Sequence, residues 1–462
     1  MPDYDRLTTF EKAWANCQLQ SSLRQTRLQR FDHSNRMLYS PVSFEYAPVP
    51  VSRVEVTTNW TVDNLLSFVR DEFAEQAESS DADQFRIADV PRCLDHSATG
   101  DEPFDYLNYC ERSLIYSGHI DKVLANVECD MARQILGLLC DNKLGNKKNR
   151  NNVNADEFCA RVQPLLDKHL RLTFCFPAFP FKDQNPFRTE SPPHQPDLAE
   201  VAMLVRLHSL SLALWQVHPQ GADWVLFCDG LVYADIFGVP KQAAIQYRER
   251  LTWWRNHLNL NGSISIVDLS DLVTRINGKP IGESPSGVFD LVSSDIRNNL
   301  QSLRSNGHPD VLRALTTLQI GMVRNLNLSH YLSSIPREEL WYISRSIERP
   351  NETDKIKSVR AEINKRGWVA AIEYAAFNLS LRYFNAWSDY LPCTLRATIK
   401  PKAGQIAVPS VGRAFPWNGV GVLSHLGNEM LIEALSLSDL KGNHHRFSLP
   451  GQEGYFYYMS ER

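Results

Sequence analysis

The sequence lacks the short motifs that mark the most familiar nucleotide-binding and hydrolytic sites. It has no G-x-G-x-x-G or G-x-x-x-x-G-K-[ST] phosphate loop, no G-x-S-x-G elbow and no H-E-x-x-H zinc motif. Its 9 cysteines are scattered, and no two of them have the C-x-x-C spacing of a redox or zinc site. We therefore expect neither the usual dinucleotide, P-loop or serine-hydrolase sites nor a metal site.

Strong net charge and long apolar runs are also missing. The 462 residues carry 49 Lys and Arg against 53 Asp and Glu, a net charge of -4, so no overall positive surface attracts nucleic acid. No run approaches the roughly 20 apolar residues of a membrane span, and the acidic start of the chain does not resemble a signal peptide. We expect a cytoplasmic protein with reduced cysteines, and neither nucleic acid nor membrane as a partner.

The pattern that is present predicts an α/β fold. Hydrophobic residues make up 43% of the chain, enough for a sizeable core. Between residues 171 and 270, short apolar segments alternate with helical ones, which favours a mostly parallel sheet covered by helices. Residues 1–100 are interpreted as an N-terminal extension and 101–462 as one α/β domain with a C-terminal β-containing part. In that part, TLRATIKPKAGQIAVPSV resembles a β-hairpin, and MLIEALSL and YFYYM resemble late strands.

A cationic loop follows the first predicted strand. The segment AFPFK ends at Lys182, and the loop DQNPFRTESPPHQ after it adds Arg188. A proline-rich loop of this length between strand and helix is uncommon unless it has a function. Because open α/β sheets bind ligands at the carboxyl ends of their strands, both cations are candidates for an anionic substrate group. The alternative is a stiff surface loop with solvated cations.

Three carboxylates are candidates for proton transfer. Glu200 lies in PDLAE, where it also fits an ordinary helix capping box. Asp229 ends the apolar segment WVLFCDG, and Asp235 follows within DGLVYADIFGV. Two carboxylates near one strand end can serve as acid and base if their surroundings separate their pKa values. The alternative is an Asp-Gly turn followed by a helix cap.

Further cations alternate along a late segment. In LRATIKP, Arg396, Thr398 and Lys400 point to one face of a predicted strand, and two cations with a hydroxyl suit a phosphate or carboxylate. The aromatic turn FPWNGV, which contains Trp417, follows it.

These segments, in this order, resemble the isocyanide synthase family, also called the pyoverdine/dityrosine biosynthesis family, over roughly residues 106–425. That family shows Ala-Phe-Pro-x-Lys, Pro-Asp-Leu-x-Glu, Asp-Gly-x-x-Phe/Tyr-x-Asp-x-x-Gly-Val, Arg-x-Ser-Ile-His-Pro and Thr-Pro-Trp-His. The corresponding segments here are AFPFK, PDLAE, DGLVYADIFGV, LRATIKP and FPWNGV. The last two depart from the pattern, because Lys400 and Asn418 stand where the family has histidine and Phe415 replaces its threonine.

The resemblance implies a Rossmann-like enzyme of secondary metabolism. Family members join the amine of Tyr or Trp to the ketone carbon of ribulose 5-phosphate and leave one carbon on nitrogen as an isocyanide. They need no metal or redox cofactor, and an oxygenase commonly acts downstream. The dityrosine branch ends in an N-formyl-type product. That product, another amine–carbonyl condensation and a non-catalytic family member are the alternatives here.

The resemblance also assigns roles to the candidate residues. Lys182, Arg188, Arg396 and Lys400 would bind the sugar phosphate, since fixed cations suit a phosphate group. Asp229, Asp235 and Glu200 would transfer protons, without a decision on which is the acid. The rings of Tyr233 and Trp417 would flank the aromatic substrate.

Overall fold

The computed structural model contains two five-stranded sheets with helices packed around them. The residues it describes are 61–73, 93–97, 107, 114–115, 118–127, 130–277, 287–389, 391, 394–399, 401, 404–426, 429–440, 444–449 and 453–460. All of them lie in one compact unit, Val56–Arg462.

The described strands and helices are numbered in chain order. The strands are β1 Cys93–Ser97, β2 Leu172–Ala178, β3 Ala222–Cys228, β4 Ile264–Asp268, β5 Thr394–Thr398, β6 Ile406–Ala407, β7 Val420–Leu426, β8 Glu429–Leu435, β9 His444–Ser448 and β10 Tyr457–Ser460. The helices are α1 Val62–Phe73, α2 His119–Ala125, α3 Met131–Leu139, α4 Asn149–Asn152, α5 Ala155–Asp167, α6 Leu198–Val217, α7 Gly230–Phe237, α8 Lys241–His257, α9 Leu269–Asn277, α10 Val288–Ser305, α11 Pro309–Val323, α12 Arg337–Ser344, α13 Asp354–Tyr383 and α14 Ala386–Asp389.

The central sheet is entirely parallel. Its strand order is β4-β3-β2-β5-β6, and every neighbouring pair runs in the same direction. Each of β2, β3 and β4 is followed by a helix, as parallel strands require crossover connections. The strand order reverses between β2 and β5, which is the point where open α/β sheets bind ligands. The predicted Rossmann-like, mostly parallel sheet is therefore confirmed.

Helices cover both faces of this sheet. Successive side chains along a strand point to opposite faces, and each face belongs to a different apolar core. In β3, the side chains of Trp224 and Leu226 belong to the core formed with α3, α5, α6 and α8. Val225 and Phe227 belong to the core formed with α1, α7 and α9 to α13. Burial of apolar residues on both faces is the pattern expected of a parallel sheet enclosed by helices.

Helix α6 lies between the two sheets and is apolar on nearly all sides. Its first turn is fixed by a capping box, in which Asp197 accepts from the Ala199 amide at 2.8 Å and Glu200 accepts from the Asp197 amide at 2.9 Å. By length and composition alone it is apolar enough to cross a membrane, contrary to the expectation that no run of the chain is long and apolar enough. Most of it is buried inside the protein, so its apolar surface is accounted for by the core.

The second sheet is mixed and packs against the start of α6. Its order is β1-β9-β10-β7-β8, with β7 antiparallel to β8 and parallel to β10. A Cβ atom on Gly421 in β7 would lie 2.6 Å from the Ala199 amide nitrogen, so glycine is required for this close approach. Strands β8 and β10 confirm the two late strands predicted from MLIEALSL and YFYYM.

One prediction about the central sheet was wrong. The segment from Thr394 to Ala407 is not a hairpin, because β5 and β6 pair in parallel as neighbours in the sheet. The physical reason lies in the start of α4 and the turn before it: Asn149 accepts from the Ala407 amide, and Asn146 donates to the Val408 carbonyl at 2.7 Å. These side chains hold β6 in place at the sheet edge.

The proposed division at residue 100 stays a prediction, although two elements before it contribute to the same unit. Helix α1 places Leu65 and Phe68 in the core with α11 and α13. Strand β1 pairs in parallel with β9 over five residues, Cys93–Ser97.

Candidate functional site

Two of the segments selected from the sequence meet at the carboxyl end of the central sheet. The Asp183 amide donates to the Trp417 carbonyl at 2.9 Å, and the Phe179 and Trp417 rings lie 5.1 Å apart. Phe179 has a positive φ of 55°, a strained conformation for a bulky residue, where the chain leaves β2. The AFPFK and FPWNGV segments thus pack against each other, close to the point between β2 and β5 where the strand order reverses.

Asp229 occupies the junction between β3 and α7. A Cβ atom at the next residue, Gly230, would lie 1.9 Å from the Pro180 carbonyl oxygen, so only glycine lets α7 start against the loop after β2. Asp229 holds the N-cap position of α7, but its side chain makes no capping hydrogen bond. The predicted Asp-Gly turn therefore accounts for the backbone at this junction. It gives no structural role to the Asp229 carboxylate, because that group does not cap α7.

The surroundings of Asp229 favour the protonated carboxyl. The residue is partly exposed, yet its Oδ1 atom is shielded from solvent and has no hydrogen-bond partner among the described residues. Burial, reinforced by the charge of Asp268 at the end of β4, raises the pKa of Asp229 to about 8. Asp268 itself is paired with Arg248 at 2.8 Å. Asp229 can thus hold a proton at neutral pH and exchange it near pH 8.

Lys182 and Glu200 meet in a closed ionic cluster that also contains Asp197 and Tyr247. The Lys182 Nζ atom lies 2.8 Å from Asp197 Oδ2, 2.9 Å from both Glu200 oxygens and 3.0 Å from the Pro416 carbonyl. The Tyr247 hydroxyl donates to Glu200 Oε1 at 2.8 Å. All four side chains are almost completely buried.

The chemistry of this cluster is that of a buried ion network. Burial lowers the pKa of Lys182, but the charges of Asp197 and Glu200 outweigh it and hold the pKa above its usual value. Burial raises the pKa of Glu200 to about 8, with Lys182 opposing the change. Because the ammonium donors are directed at Asp197, Glu200 and Pro416, the geometry favours the capping role of Glu200 that the sequence left open.

Arg188 and Asp235 lie apart from this cluster. The Arg188 guanidinium donates to Asp183 Oδ2 and Asn325 Oδ1, both at 2.7 Å, and so ties the loop after β2 to the end of α11. Asp235 lies on the exposed side of α7, where its carboxylate pairs with Lys241 at 2.9 Å; their side chains are 69% and 58% exposed.

The exposure of Asp235 leads to a direct prediction. We expect Asp235→Ala to change the free energy of unfolding by less than about 0.5 kcal/mol and to keep turnover within about two-fold of the unchanged protein, because exposed ion pairs contribute little. Chemical denaturation and a turnover assay check this. Loss of turnover with an intact fold would restore Asp235 to the catalytic set.

Arg396 and Tyr233 lie on the face of the sheet covered by α13. The Arg396 guanidinium stacks over the Trp387 ring at 4.5 Å. The Tyr233 hydroxyl accepts from Asn378 Nδ2 at 3.1 Å, and its ring packs among aromatic residues of α7 and α13. Trp417, stacked on Phe415 at 5.1 Å, lies with the loop after β2 instead. Lys400 lies outside the described residues.

A cleft beside Arg396 contains residues that sequence reasoning missed. It occupies about 370 Å³, including the part open to solvent. The described residues lining it are Phe68, Asn378, Leu381, Arg382, Trp387, Arg396, Thr398 and Gln405. The alternation of Arg396 and Thr398 was the only sequence signal for this cleft, because Phe68 and Arg382 come from helices far away in the chain.

No group of three or more His, Cys, Asp or Glu side chains with metal-binding geometry occurs among the described residues.

Part of the chain that builds these features matches a known family. Residues 162–318, from α5 to α11, match the model for the pyoverdine/dityrosine biosynthesis protein family. Over these residues the chain is similar to that family.

Individual relatives have names that agree with that assignment. The chain is 37% identical over 94 residues to the isocyanide synthase xanB of Aspergillus fumigatus, covering 20% of this chain and 12% of that protein. It is 26% identical over 99 residues to the L-tryptophan isonitrile synthase AmbI1 of Fischerella ambigua, covering 21% and 30%. It is 29% identical over 119 residues to the spore wall maturation protein DIT1 of Saccharomyces cerevisiae, covering 25% and 22%.

The matched segments span less than a third of the length of each of these relatives. Among solved structures, the PvcA protein of Pseudomonas aeruginosa aligns with a TM-score of 0.45 and 17% identity, over 67% of this chain and 94% of that one.

Proposed function

We propose that this protein is a biosynthetic enzyme that condenses the amine of an aromatic amino acid with the ketone of ribulose 5-phosphate and forms an isocyanide. The match of residues 162–318 to the pyoverdine/dityrosine family model supports this assignment, as do relatives named as isocyanide synthases. The observation that carries it is Asp229, a carboxyl group with a shielded, unpaired oxygen at the carboxyl end of the parallel sheet.

Asp229 suits the first chemical step of this reaction. The amine nitrogen attacks the ketone carbon, and the ketone oxygen becomes the hydroxyl of a carbinolamine. Loss of that hydroxyl as water gives the imine and requires a proton donor. Because the pKa of Asp229 is raised to about 8, its carboxyl is protonated at neutral pH and can supply that proton. The resulting carboxylate can then accept a proton during the later fragmentation.

The aromatic residues near Asp229 support an aromatic amino acid as the amine donor. Tyr233 lies one turn further along α7, and its ring contacts Tyr374 at 5.2 Å and Phe377 at 5.6 Å. An aromatic substrate ring would extend this packing by edge-to-face and offset contacts. Tyrosine and tryptophan both fit this description, and the experiment below separates them.

A labelled-carbon assay tests the proposal. Purified protein is incubated with ribulose 5-phosphate labelled with ¹³C at the ketone carbon, together with tyrosine or tryptophan, and products are followed by NMR and mass spectrometry. We expect the labelled carbon on the amino-acid nitrogen as an isocyanide. A labelled N-formyl product would instead support the dityrosine-type alternative.

The matched controls for this assay are two conservative variants of the same short segment. Asp229→Asn should form labelled product at least about 100-fold more slowly, and the exposed Asp235→Asn should form as much as the unchanged protein. Absence of labelled product from the unchanged protein with either amino acid would contradict the proposal and favour a non-catalytic family member.

A further inference from the structure

The loop after β2 meets the end of α11, which carries Arg324. Asn185 of the loop donates from Nδ2 to the Arg324 carbonyl at 2.9 Å, and Arg188 donates to Asn325 Oδ1 at 2.7 Å. Arg324 directly follows the last residue of α11, a position where the helix dipole favours a cation. The helix end therefore accounts for a basic residue here, but it does not pair the guanidinium.

The Arg324 guanidinium lacks a partner that a shielded cation requires. Its Nε atom is shielded from solvent and has no hydrogen-bond partner among the described residues. Arginine stays charged in proteins, so the cost of burial is not relieved by the loss of a proton. A shielded charged group with an unpaired donor is unfavourable, and an anion bound beside it would remove that cost.

The charges that act on Arg324 are positive as well. Burial lowers the pKa of Arg324, and the charges of Arg188 and Arg345 lower it further. Like charges brought together in this way repel each other, and a negative charge among them would be attracted by all three.

The acidic side chains of the loop after β2 are bonded to other groups. Asp183 accepts from Arg188 at 2.7 Å. Glu190 accepts from the Tyr458 hydroxyl and from Arg446 of the second sheet. Neither carboxylate therefore supplies the negative charge that the end of α11 lacks.

The turn after α12 adds a second polar group without a partner. Ser346 directly follows Arg345 and has a positive φ of 57°. Its Oγ atom is buried and has no hydrogen-bond partner in the part of the chain that the structure describes. Arg345 stacks on the Trp341 ring at 4.1 Å, which fixes the plane of its guanidinium. This turn thus contributes a fixed positive charge and an unsatisfied hydroxyl.

These groups lie toward the opposite end of α7 from Asp229. The Asn327 amide, three residues after Arg324, donates to the carbonyl of Phe237, the last residue of α7, at 2.9 Å. At a rise of 1.5 Å per residue, Phe237 lies about 12 Å along the helix from Asp229. The end of α11 is therefore set apart from the proposed proton-transfer group.

We propose that Arg324, together with the charge of Arg345 and the Ser346 hydroxyl, forms a binding site for a small oxyanion such as phosphate or sulfate. Arg188 is not one of its ligands, because its guanidinium is bonded to Asp183 and Asn325. The bound anion offsets the repulsion between the end of α11 and the loop after β2. It thereby stabilises the loop that also carries Lys182, and it is distinct from the phosphate of any substrate.

Calorimetry with inorganic phosphate tests the site without requiring turnover. Phosphate is titrated into the protein at constant ionic strength, with and without saturating ribulose 5-phosphate. We expect one phosphate to bind per chain in the presence of the sugar phosphate. Arg324→Gln should raise its Kd by at least about 10-fold, the usual effect of losing charge-assisted hydrogen bonds. Ser346→Ala should raise it by about 3-fold.

Thermal unfolding gives a second readout. Phosphate should raise the Tm of the unchanged protein by about 2–4 °C more than that of Arg324→Met, because only the unchanged protein binds it specifically. Without phosphate, Arg324→Met should have the higher Tm of the two, since it no longer buries an unpaired cation. A lower Tm for this variant in the absence of anions would contradict the proposal.

The matched control is Arg304→Met. Arg304 also lies in the last turn of a helix, α10, is half-buried and stacks on the Trp368 ring at 4.2 Å. Arg304 has no shielded nitrogen without a partner, in contrast to Arg324. The control should therefore keep the full response of Tm to phosphate.

An unchanged Kd for phosphate in folded Arg324→Gln protein overturns the proposal. Phosphate binding that is lost when ribulose 5-phosphate is added also overturns it, because the two would then share one site. If Arg324→Gln does not fold, Arg324→Lys decides, since it keeps the charge and removes the forked donors; an unchanged Kd in that variant has the same meaning. A protein that forms no isocyanide leaves each of these outcomes readable.

Discussion

Replacing Lys182 with methionine should lower the free energy of unfolding by about 3–5 kcal/mol, the cost of leaving a buried charge without its partner. The ammonium is fully buried and contacts Asp197 and Glu200 within 3 Å. Methionine fills a similar volume but cannot neutralise or hydrogen-bond these carboxylates. Urea denaturation at neutral pH measures the change.

Lys241→Met is the matched control, because the Lys241 ammonium pairs with Asp235 at a similar distance on the exposed surface. We expect it to cost less than about 0.5 kcal/mol. Adding Asp197→Asn and Glu200→Gln to Lys182→Met should recover much of the lost stability, since the capping oxygens remain and the buried charges are gone. Equal destabilisation by Lys182→Met and Lys241→Met would show that the buried cluster does not stabilise the fold.

The central sheet was predictable because its strands are short, apolar and followed by clear turn and helix signals. LTFCFPA, ADWVLFC and ISIVD are the strands β2, β3 and β4, each at the predicted position. The β5–β6 pairing was not predictable, because the two segments are close in sequence and a hairpin is the usual result of such spacing. Their parallel pairing depends on Asn146 and Asn149, which lie far away in the chain, at the start of α4 and in the turn before it.

The candidate site was predictable only in part, because contacts between distant parts of the chain are not visible in the sequence. The family motifs led to Asp229, Lys182 and Glu200, but a motif does not state whether a side chain faces a ligand or another side chain. Glu200 and Lys182 hydrogen-bond to each other in the core, and Tyr247 from α8 completes this network. Phe68 and Arg382 carry no motif, and only the packing of α1 against the end of α13 brings them together.

Lys182 and Asp229 illustrate two ways in which a protein accommodates an ionisable group that is shielded from water. The first is surrounded by opposite charges and hydrogen-bond acceptors and therefore stabilises the fold around it. The second has a shielded oxygen without a partner among the described residues, and its environment resists ionisation instead. Perturbed carboxyl groups of the second kind, at a ligand-binding edge, are the ones suited to proton transfer.

Asp229→Asn should lower turnover at neutral pH by at least about 100-fold, the usual minimum contribution of a general acid or base. In the unchanged protein the active form is the protonated carboxyl, whose pKa is raised to about 8. Activity should therefore be present below pH 8 and decline as the pH rises through that value. The residual activity of the variant should lack this decline, because an amide does not titrate.

Stability measurements separate this loss of activity from unfolding, because the two should move in opposite directions. The folded carboxyl keeps its proton up to about pH 8, whereas in the unfolded chain it ionises near 3.8. The unfolded state therefore binds fewer protons between these values, and the stability of the unchanged protein falls as the pH rises from about 4 to 8. Asparagine escapes this cost, so Asp229→Asn should be the more stable protein by about 3–6 kcal/mol at pH 8, with little difference at pH 4. A variant that is less stable at pH 8, or one that keeps normal turnover, would show that Asp229 is only the turn residue between β3 and α7.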